Sequence, residues 1–255
     1  MGFGRLGAGT RVLGGDSTII PSRMQSGVEE ICEKGVKEGR TVKTVAIMPI
    51  KLTNERCPGK NIKILGDKPL LAYELDNLKK TGLCDSINVY CSSEEVVPYL
   101  PNGVDFIQRP PFLDLPTSNF NQIFDAFMKV VDADIYVYAH ATAPFITVET
   151  MVQCIEAVKS GEYDSAFCAE KLQDYLWQDG EPLNFDALNL PRTQDLKLIY
   201  KETSGVYVFT KDAYIKYRRR IGVKPFIKEV SFKEAVDIDN PEDFDLAEAM
   251  VSINL

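Results

Sequence analysis

The chain has one histidine and one tryptophan among 255 residues, and what else it lacks narrows its chemistry before any motif is read. Its six cysteines, at positions 32, 57, 84, 91, 154 and 168, never fall in C-x-x-C spacing. That removes the usual ligand pattern of a structural zinc site and the usual redox pair. Scattered through segments that read as core, they are expected to be reduced thiols of a cytoplasmic protein. No apolar run approaches the roughly 20 residues that span a bilayer, and the opening residues lack a secretory h-region. Positive charge is also short: Lys and Arg number 29 against 37 Asp and Glu, a net charge of -8. Nonspecific binding to nucleic acid or to an anionic membrane is therefore not expected. An anionic substrate would need a local basic pocket. What is present is ordinary for a folded protein, with 45% hydrophobic and 26% charged residues, enough for one large domain or a domain with a small appendage.

Such a basic pocket is encoded in VAIMPIKLTNERCPGKN, residues 45–61. Thr44 to Pro49 is a short apolar run rich in β-branched residues and reads as a buried strand, with Pro49 expected to end it. The following loop carries Lys51, Arg56 and Lys60, together with Asn54, Asn61 and the turn pair Pro58-Gly59. A basic loop at the carboxyl end of a first parallel strand is where open α/β sheets hold phosphates. The same composition also suits a plain solvated loop. It matches neither G-x-G-x-x-G nor G-x-x-x-x-G-K-[ST], so it is neither a dinucleotide fingerprint nor a Walker A loop.

From Val42 onward strand and helix patterns alternate, as in a parallel sheet covered on both faces. Strands are expected at Ser86 to Cys91, Val104 to Gln108, Ile135 to Ala139 and Ser165 to Ala169. Helices are expected over Leu70 to Lys80, with Pro69 at the first position, and over Val148 to Lys159. Ser92-Ser93 can cap a short helix from Glu94, and Thr117-Ser118 a longer one running to Val130. Residues 1–42 stand outside this pattern as an N-terminal extension, glycine-rich as far as Asp16, with an amphipathic helix expected over Met24 to Arg40. Residues 172–198 interrupt the alternation with Trp177, a turn at Asp179-Gly180 and the string LPRTQDL, which reads as an inserted hairpin-like arm.

A second signal lies in AVDIDNPEDFDLAEAM near the C-terminus. If Val236 to Asp239 is extended, Asp237 and Asp239 point to one side and Ile238 to the other. Paired oxygens on one side suit a magnesium ion that also holds phosphate oxygens. Asn240 and Pro241 with Glu242 and Asp243 form a helix start, which accounts for the later acids and not for Asp237.

These segments together resemble the CMP-sugar-acid synthetases. PIKLTNERCPGKN is similar, without gaps, to that family's signature loop, P-A-R-G-G-S-K-G-I-P-x-K-N in the acylneuraminate branch and ending R-x-P-G-K in the ketodeoxyoctonate branch. AVDIDNPED resembles its D-I-D-x-P-E-D, RPPFLDLPTS its R-P-x-x-L-A-x-D-T-S, HATAPFIT its Q-P-T-S-P-L-R, and YKETSGVYV its E-N-G-A-I-Y strand. The resemblance implies a three-layer, mostly parallel Rossmann-like α/β domain over residues 43–255 and a magnesium-dependent transfer of CMP from CTP to a small acidic acceptor. A sialic-acid-like 2-keto sugar acid is the expected acceptor. It further implies a homodimer whose arm reaches the neighbouring site.

By the same resemblance, Lys51, Lys60 and Asp239 are catalytic, with Asp237 and Asp239 as the metal ligands. Lys51, Asn54, Arg56, Lys60, Asn61, Arg109, His140 and Thr142 hold the nucleotide. His140, Arg192, Gln194, Glu202 and Tyr207 hold the acceptor. The chain departs from the pattern at Lys51 for arginine, Leu52-Thr53 for the glycine pair, His140 for glutamine and Thr203-Ser204 for Asn-Gly. D-x-D also occurs in nucleotide-sugar glycosyltransferases, so that class stays open, as do a phosphonate or other acid acceptor and a non-catalytic nucleotide-binding module.

Overall fold

The computed structural model describes residues 41–253, so the helix expected over Met24 to Arg40 lies outside the described residues. The first half of the domain contains β1 (Thr44–Ile50), the short β2 (Ile64–Leu65) and β3 (Lys68–Pro69), α1 (Leu70–Thr81), β4 (Ser86–Cys91), β5 (Asp105–Gln108), α2 (Phe120–Met128) and β6 (Ile135–Ala139). The second half contains α3 (Val148–Lys159), β7 (Ser165–Leu172), β8 (Trp177–Gln178), β9 (Glu181–Pro182), β10 (Ile199–Thr210), α4 (Lys211–Tyr217), β11 (Pro225–Val230) and α5 (Pro241–Ser252).

Seven strands form the main sheet in the order β11-β7-β10-β6-β1-β4-β5. Within it β10 alone is reversed, pairing antiparallel with β6 and β7 while every other neighbouring pair is parallel. The expected α/β class and the alternation of elements are thus observed, and β4, β6 and α3 have the expected bounds.

Three local expectations are corrected. Pro49 does not end β1, which continues to Ile50. Pairing of β1 with β6 stops at Ile47, so Pro49 retains only β4 as a neighbour, a place where a missing N–H is tolerated. Pro69 is the residue before α1, not its first, because it is paired with Ile64 in the β2–β3 ribbon. Helix α2 is capped by Asn119 instead of Thr117-Ser118 and stops at Met128. The Ser118 hydroxyl donates to the Phe112 carbonyl (3.1 Å). Asn119 and Gln122 meanwhile exchange side-chain and backbone bonds of 3.1 and 2.9 Å in a capping box.

Alternation along β1 divides the core into two layers. Ala46, Met48 and Ile50 face an aliphatic layer with residues of α1 and α3, including Leu71, Leu75, Met151 and Ile155. Val45 and Ile47 face an aromatic layer with Phe124, Phe127, Tyr136, Tyr138, Phe209 and Tyr214. A third, smaller cluster of Leu65, Leu70, Ile238, Phe244 and Ala247 fastens α5 and the segment before it to the β2–β3 ribbon.

Phe124 is fully buried at the centre of the aromatic layer, edge-on to Tyr214, Tyr136 and Phe209 at centroid distances of 4.5, 4.9 and 5.1 Å. Phe124→Ala should lower the free energy of unfolding by about 3–5 kcal/mol in a denaturant titration. A loss below about 1 kcal/mol would mean that this layer closes over the missing ring.

Candidate active site

The basic loop leaves the carboxyl end of β1 and is shaped by its own backbone bonds. Gly59 adopts φ 68°, a left-handed conformation that glycine enters without steric cost, and starts the short 3-10 turn Lys60–Ile62. Lys60 N–H donates to the Cys57 carbonyl (3.2 Å) and Asn61 Nδ2 to the Lys51 carbonyl (3.0 Å), folding the loop back on its origin. The turn buries Lys60, at 6% exposure, with its ammonium inward.

That ammonium meets the acidic segment. Lys60 Nζ donates to the Ile238 carbonyl (2.6 Å) and to Asp239 Oδ1 (3.0 Å). Arg56 Nη2 lies 2.9 Å from Asp239 Oδ2 and is itself well exposed. Ile238 is fully buried in the cluster with Phe244, and its N–H donates to the Thr142 carbonyl (2.8 Å). With Ile238 as the anchor, its two acidic neighbours border the same cavity, as the alternation implied. Burial alone would raise the pKa of Asp239; the bonds and charges of Lys60 and Arg56 outweigh it and hold the group below the ordinary carboxylate range. Asp237 Oδ1 is buried with no hydrogen-bond partner among the described residues.

This cavity, about 300 Å³, is bordered by Lys51, Asn54, Arg56, Lys60, Asn61, His140, Thr142, Ser204, Asp237 and Asp239 among others. The structure therefore brings together residues from four separate sequence segments. Arg109 borders a neighbouring cavity that shares Lys51 and His140. It is buried and ion-paired with Asp114, whose other oxygen accepts from Ser92.

The His140 ring stands between those of Tyr138 and Tyr207, at centroid distances of 5.2 and 5.8 Å. Its Nε2 is enclosed and has no partner among the described residues. Burial first, then the charge of Arg220, pushes its pKa down to about 3. His140 is therefore a neutral imidazole near pH 7, able to donate or accept one hydrogen bond at a ligand and poorly suited to act as a base.

Glu202 and Tyr207 lie on this side of the sheet, the Tyr207 hydroxyl donating to Glu202 Oε1 (2.6 Å). Two groups near the site were not among the sequence candidates. Arg220 stacks on Tyr207 and bonds Glu202; its only sequence signal is a run of three arginines, which reads equally well as a solvated face. Glu74 is fully buried on α1, and burial above all drives its pKa up.

Arg192 and Gln194 are placed apart from both cavities' linings. They sit on the arm, which is a β8–β9 hairpin turning at Asp179-Gly180 and followed by an irregular return. Arg192 is exposed and paired with Asp195 at 2.8 Å. Trp177 and Tyr175 pack edge-on against Phe185, while Trp177, Leu183, Leu188 and Leu190 remain exposed.

The family described as "Cytidylyltransferase" matches residues 45–254. The CMP-N,N'-diacetyllegionaminic acid synthase of Legionella pneumophila is 24% identical over 232 residues, covering 84% of this chain and 98% of its own. The N-acylneuraminate cytidylyltransferase of Oncorhynchus mykiss is 24% identical over 243 residues, covering 90% of this chain and 56% of its own. Among solved structures, a CMP:2-keto-3-deoxy-manno-octonic acid synthetase complexed with CTP superimposes with a TM-score of 0.64 at 16% identity, over 84% of this chain and all of the other. A 4-diphosphocytidyl-2C-methyl-D-erythritol synthase from Anaerococcus prevotii gives 0.60 at 14% identity, over 83% and 96%. At those identities the two structures establish the shared fold.

The lowered pKa of His140 makes a pH-dependent contribution to stability. As pH falls below about 6.5 the unfolded chain takes up a proton that the folded chain refuses until near pH 3. The contribution is intact above pH 6.5 and is lost progressively below it. At pH 5 the loss should be about 1–2 kcal/mol. His140→Gln takes up no such proton, so its melting temperature should fall less than that of the wild type between pH 7.5 and 5 in calorimetry. Equal falls would show that His140 titrates as a free imidazole does.

Proposed function

Because the chain belongs to the cytidylyltransferase family, we propose that it transfers CMP from CTP to a sialic-acid-like 2-keto sugar acid and releases pyrophosphate. The observation that carries this reading is the cavity in which the cationic loop after β1 meets the paired aspartates before α5. An acceptor hydroxyl oxygen attacks the α-phosphorus in line, its proton passing to solvent water. The new P–O bond forms as the α–β phosphoanhydride bond breaks, and pyrophosphate leaves with the electron pair. Positioning and charge stabilisation dominate such transfers.

Lys51 and Arg56 supply mobile cations for the phosphates, Arg56 exchanging its contact with Asp239 for a phosphate oxygen. Lys60, held on two sides, fixes where Asp239 stands and keeps its third N–H for a phosphate oxygen. Arg109 and Asn54 bind the nucleoside part, and neutral His140 hydrogen-bonds substrate.

The donor set fits magnesium. Asp237 Oδ1 is a buried oxygen with no donor among the described residues, and Asp239 borders the same cavity. A hard ion with few protein ligands and several phosphate and water oxygens suits such a pair. Asp237 and Asp239 would hold it, and when bound it would offset charge on the phosphate oxygens.

We further propose a two-fold homodimer, supported by the exposed Trp177, Leu188 and Leu190 on the arm, where apolar groups call for a covering surface. Arg192 then approaches the partner's acceptor. A cytoplasmic location is supported by the five free cysteines among the described residues.

Wild-type protein given CTP, magnesium and a panel of 2-keto sugar acids should release pyrophosphate with at least one of them. Asp237→Asn should lower that turnover by roughly a hundredfold or more, the scale of losing one charge-stabilising group. Its melting temperature should stay near that of the wild type, since Asp237 makes no ion pair with the described residues. Near-normal turnover would remove Asp237 from the metal site.

The dimer has its own test. Arg192→Ala and Asp237→Asn chains, each inactive, should recover about a quarter of wild-type activity after random subunit exchange, because half the dimers are mixed and each has one intact site. No recovery after proven exchange would place Arg192 outside the partner's site.

A further inference from the structure

Arg218, Arg219 and Arg220 follow α4 directly, and the first two are accounted for locally. Arg218 forks onto Asp125 with bonds of 2.8 and 2.5 Å, and Arg219 donates to the Gly222 carbonyl at 2.8 Å. Arg220 reaches another environment. Its guanidinium carbon lies 3.8 Å from the centroid of the Tyr207 ring, and Nη2 donates to Glu202 Oε1 at 2.9 Å. Tyr207 Oη donates to the same carboxylate oxygen, so arginine, glutamate and tyrosine hold one another in a closed triangle.

The triangle stands beside the candidate active site. The Tyr207 ring is 5.8 Å from that of His140, which borders the cavity with Asp239. The charge of Arg220 is felt at both His140 and Tyr138. Its side chain is 32% exposed. An ion pair this open adds little to folding, so stability does not account for a cation kept one ring away from His140. Its remaining guanidinium donors make no hydrogen bond with the described residues, although stacking fixes their plane.

We propose that Arg220 reads the carboxylate of the acceptor. This rests on the cytidylyltransferase reading above and assigns a residue to its acid specificity. A planar fork matches the two oxygens of a carboxylate, and a guanidinium already oriented by stacking and by Glu202 loses little freedom on binding. In the ring form of a 2-keto sugar acid the carboxylate and the anomeric hydroxyl share one carbon. Holding the first therefore places the second, which is the attacking oxygen. Glu202 has a double effect: it orients Arg220 and, by its own negative charge, weakens the hold on an anion. Arg220 is in these terms a specificity residue and Glu202 a positioning one.

Calorimetric titration in EDTA, which prevents magnesium-dependent turnover, separates these roles. N-acetylneuraminate, 2-keto-3-deoxy-manno-octonate and their methyl esters would be titrated into CTP-bound wild type, Arg220→Gln, Arg220→Lys and Glu202→Gln. CTP itself would be titrated into each free protein, reporting both folding and the nucleotide site. At least one acid should bind the wild type. Arg220→Gln should weaken that acid about ten- to a hundredfold and leave its ester and CTP within about twofold. Arg220→Lys should fall between, and Glu202→Gln should tighten the acid. Equal acid affinity in wild type and Arg220→Gln, or equal loss of acid and ester, overturns the proposal. So does a wild type that binds CTP but no acid, which leaves the nucleotide reading standing. Failure of the wild type to bind CTP with magnesium as well as in EDTA overturns both.

Discussion

The buried ammonium of Lys60 is the contact on which the site depends. A charge at 6% exposure must be compensated where it lies, and the Ile238 carbonyl and Asp239 provide that compensation. The two ends of this contact are 178 and 179 residues apart in sequence. One half is the phosphate-type loop after the first strand; the other is the acidic turn before the last helix. The ion pairs of Lys60 and Arg56 with Asp239 therefore join the cationic and anionic parts of the cavity, and the Ile238 side chain and its N–H to Thr142 keep them in place.

Around that contact the sheet arranges polarity by depth. Loops following β1 and β6, both at the centre of the sheet, deliver the basic residues and His140 to one edge. Reversed β10 runs antiparallel to β6 and brings Ser204 to the cavity, and Tyr207 with its partner Glu202 beside His140, from the other direction. The reversed strand is thus more than a topological detail: it gives the His140 side of the cavity a second set of polar groups. The aromatic layer beneath, with Tyr138 and Tyr207 flanking His140, partly desolvates the imidazole and, with the charge of Arg220, keeps it neutral.

The departures from the family pattern gain physical meaning in this setting. Lysine at position 51 offers a point charge on a flexible stem where arginine would offer a fixed fork, while Arg56 nearby retains a fork at the cavity border. Histidine at position 140, neutral and enclosed, keeps the hydrogen-bonding character of the glutamine it replaces without adding charge. Both changes preserve the sign of the local field. Arg220 adds positive charge on the side where Glu202 and Tyr207 lie.

Much of this was legible in the sequence because it is local. Hydrophobic period and turn residues specified β4, β6 and α3 to the residue, and D-I-D alternation turned two carboxylates to one side. Local signals failed where neighbours decided the outcome. Pro49 stayed within β1 because β6 had already stopped pairing there. Asn119 capped α2 because Ser118 was engaged with Phe112. No pattern in the sequence announced Arg220, since a run of three arginines does not say which of them turns inward. Residue type and spacing determined the sheet class, the basic loop and the acidic pair. Tertiary structure alone decided that Lys60 would be buried against Asp239, that His140 would be neutral and that Arg220 would lie on Tyr207, because burial and charge pairing arise only where distant segments meet.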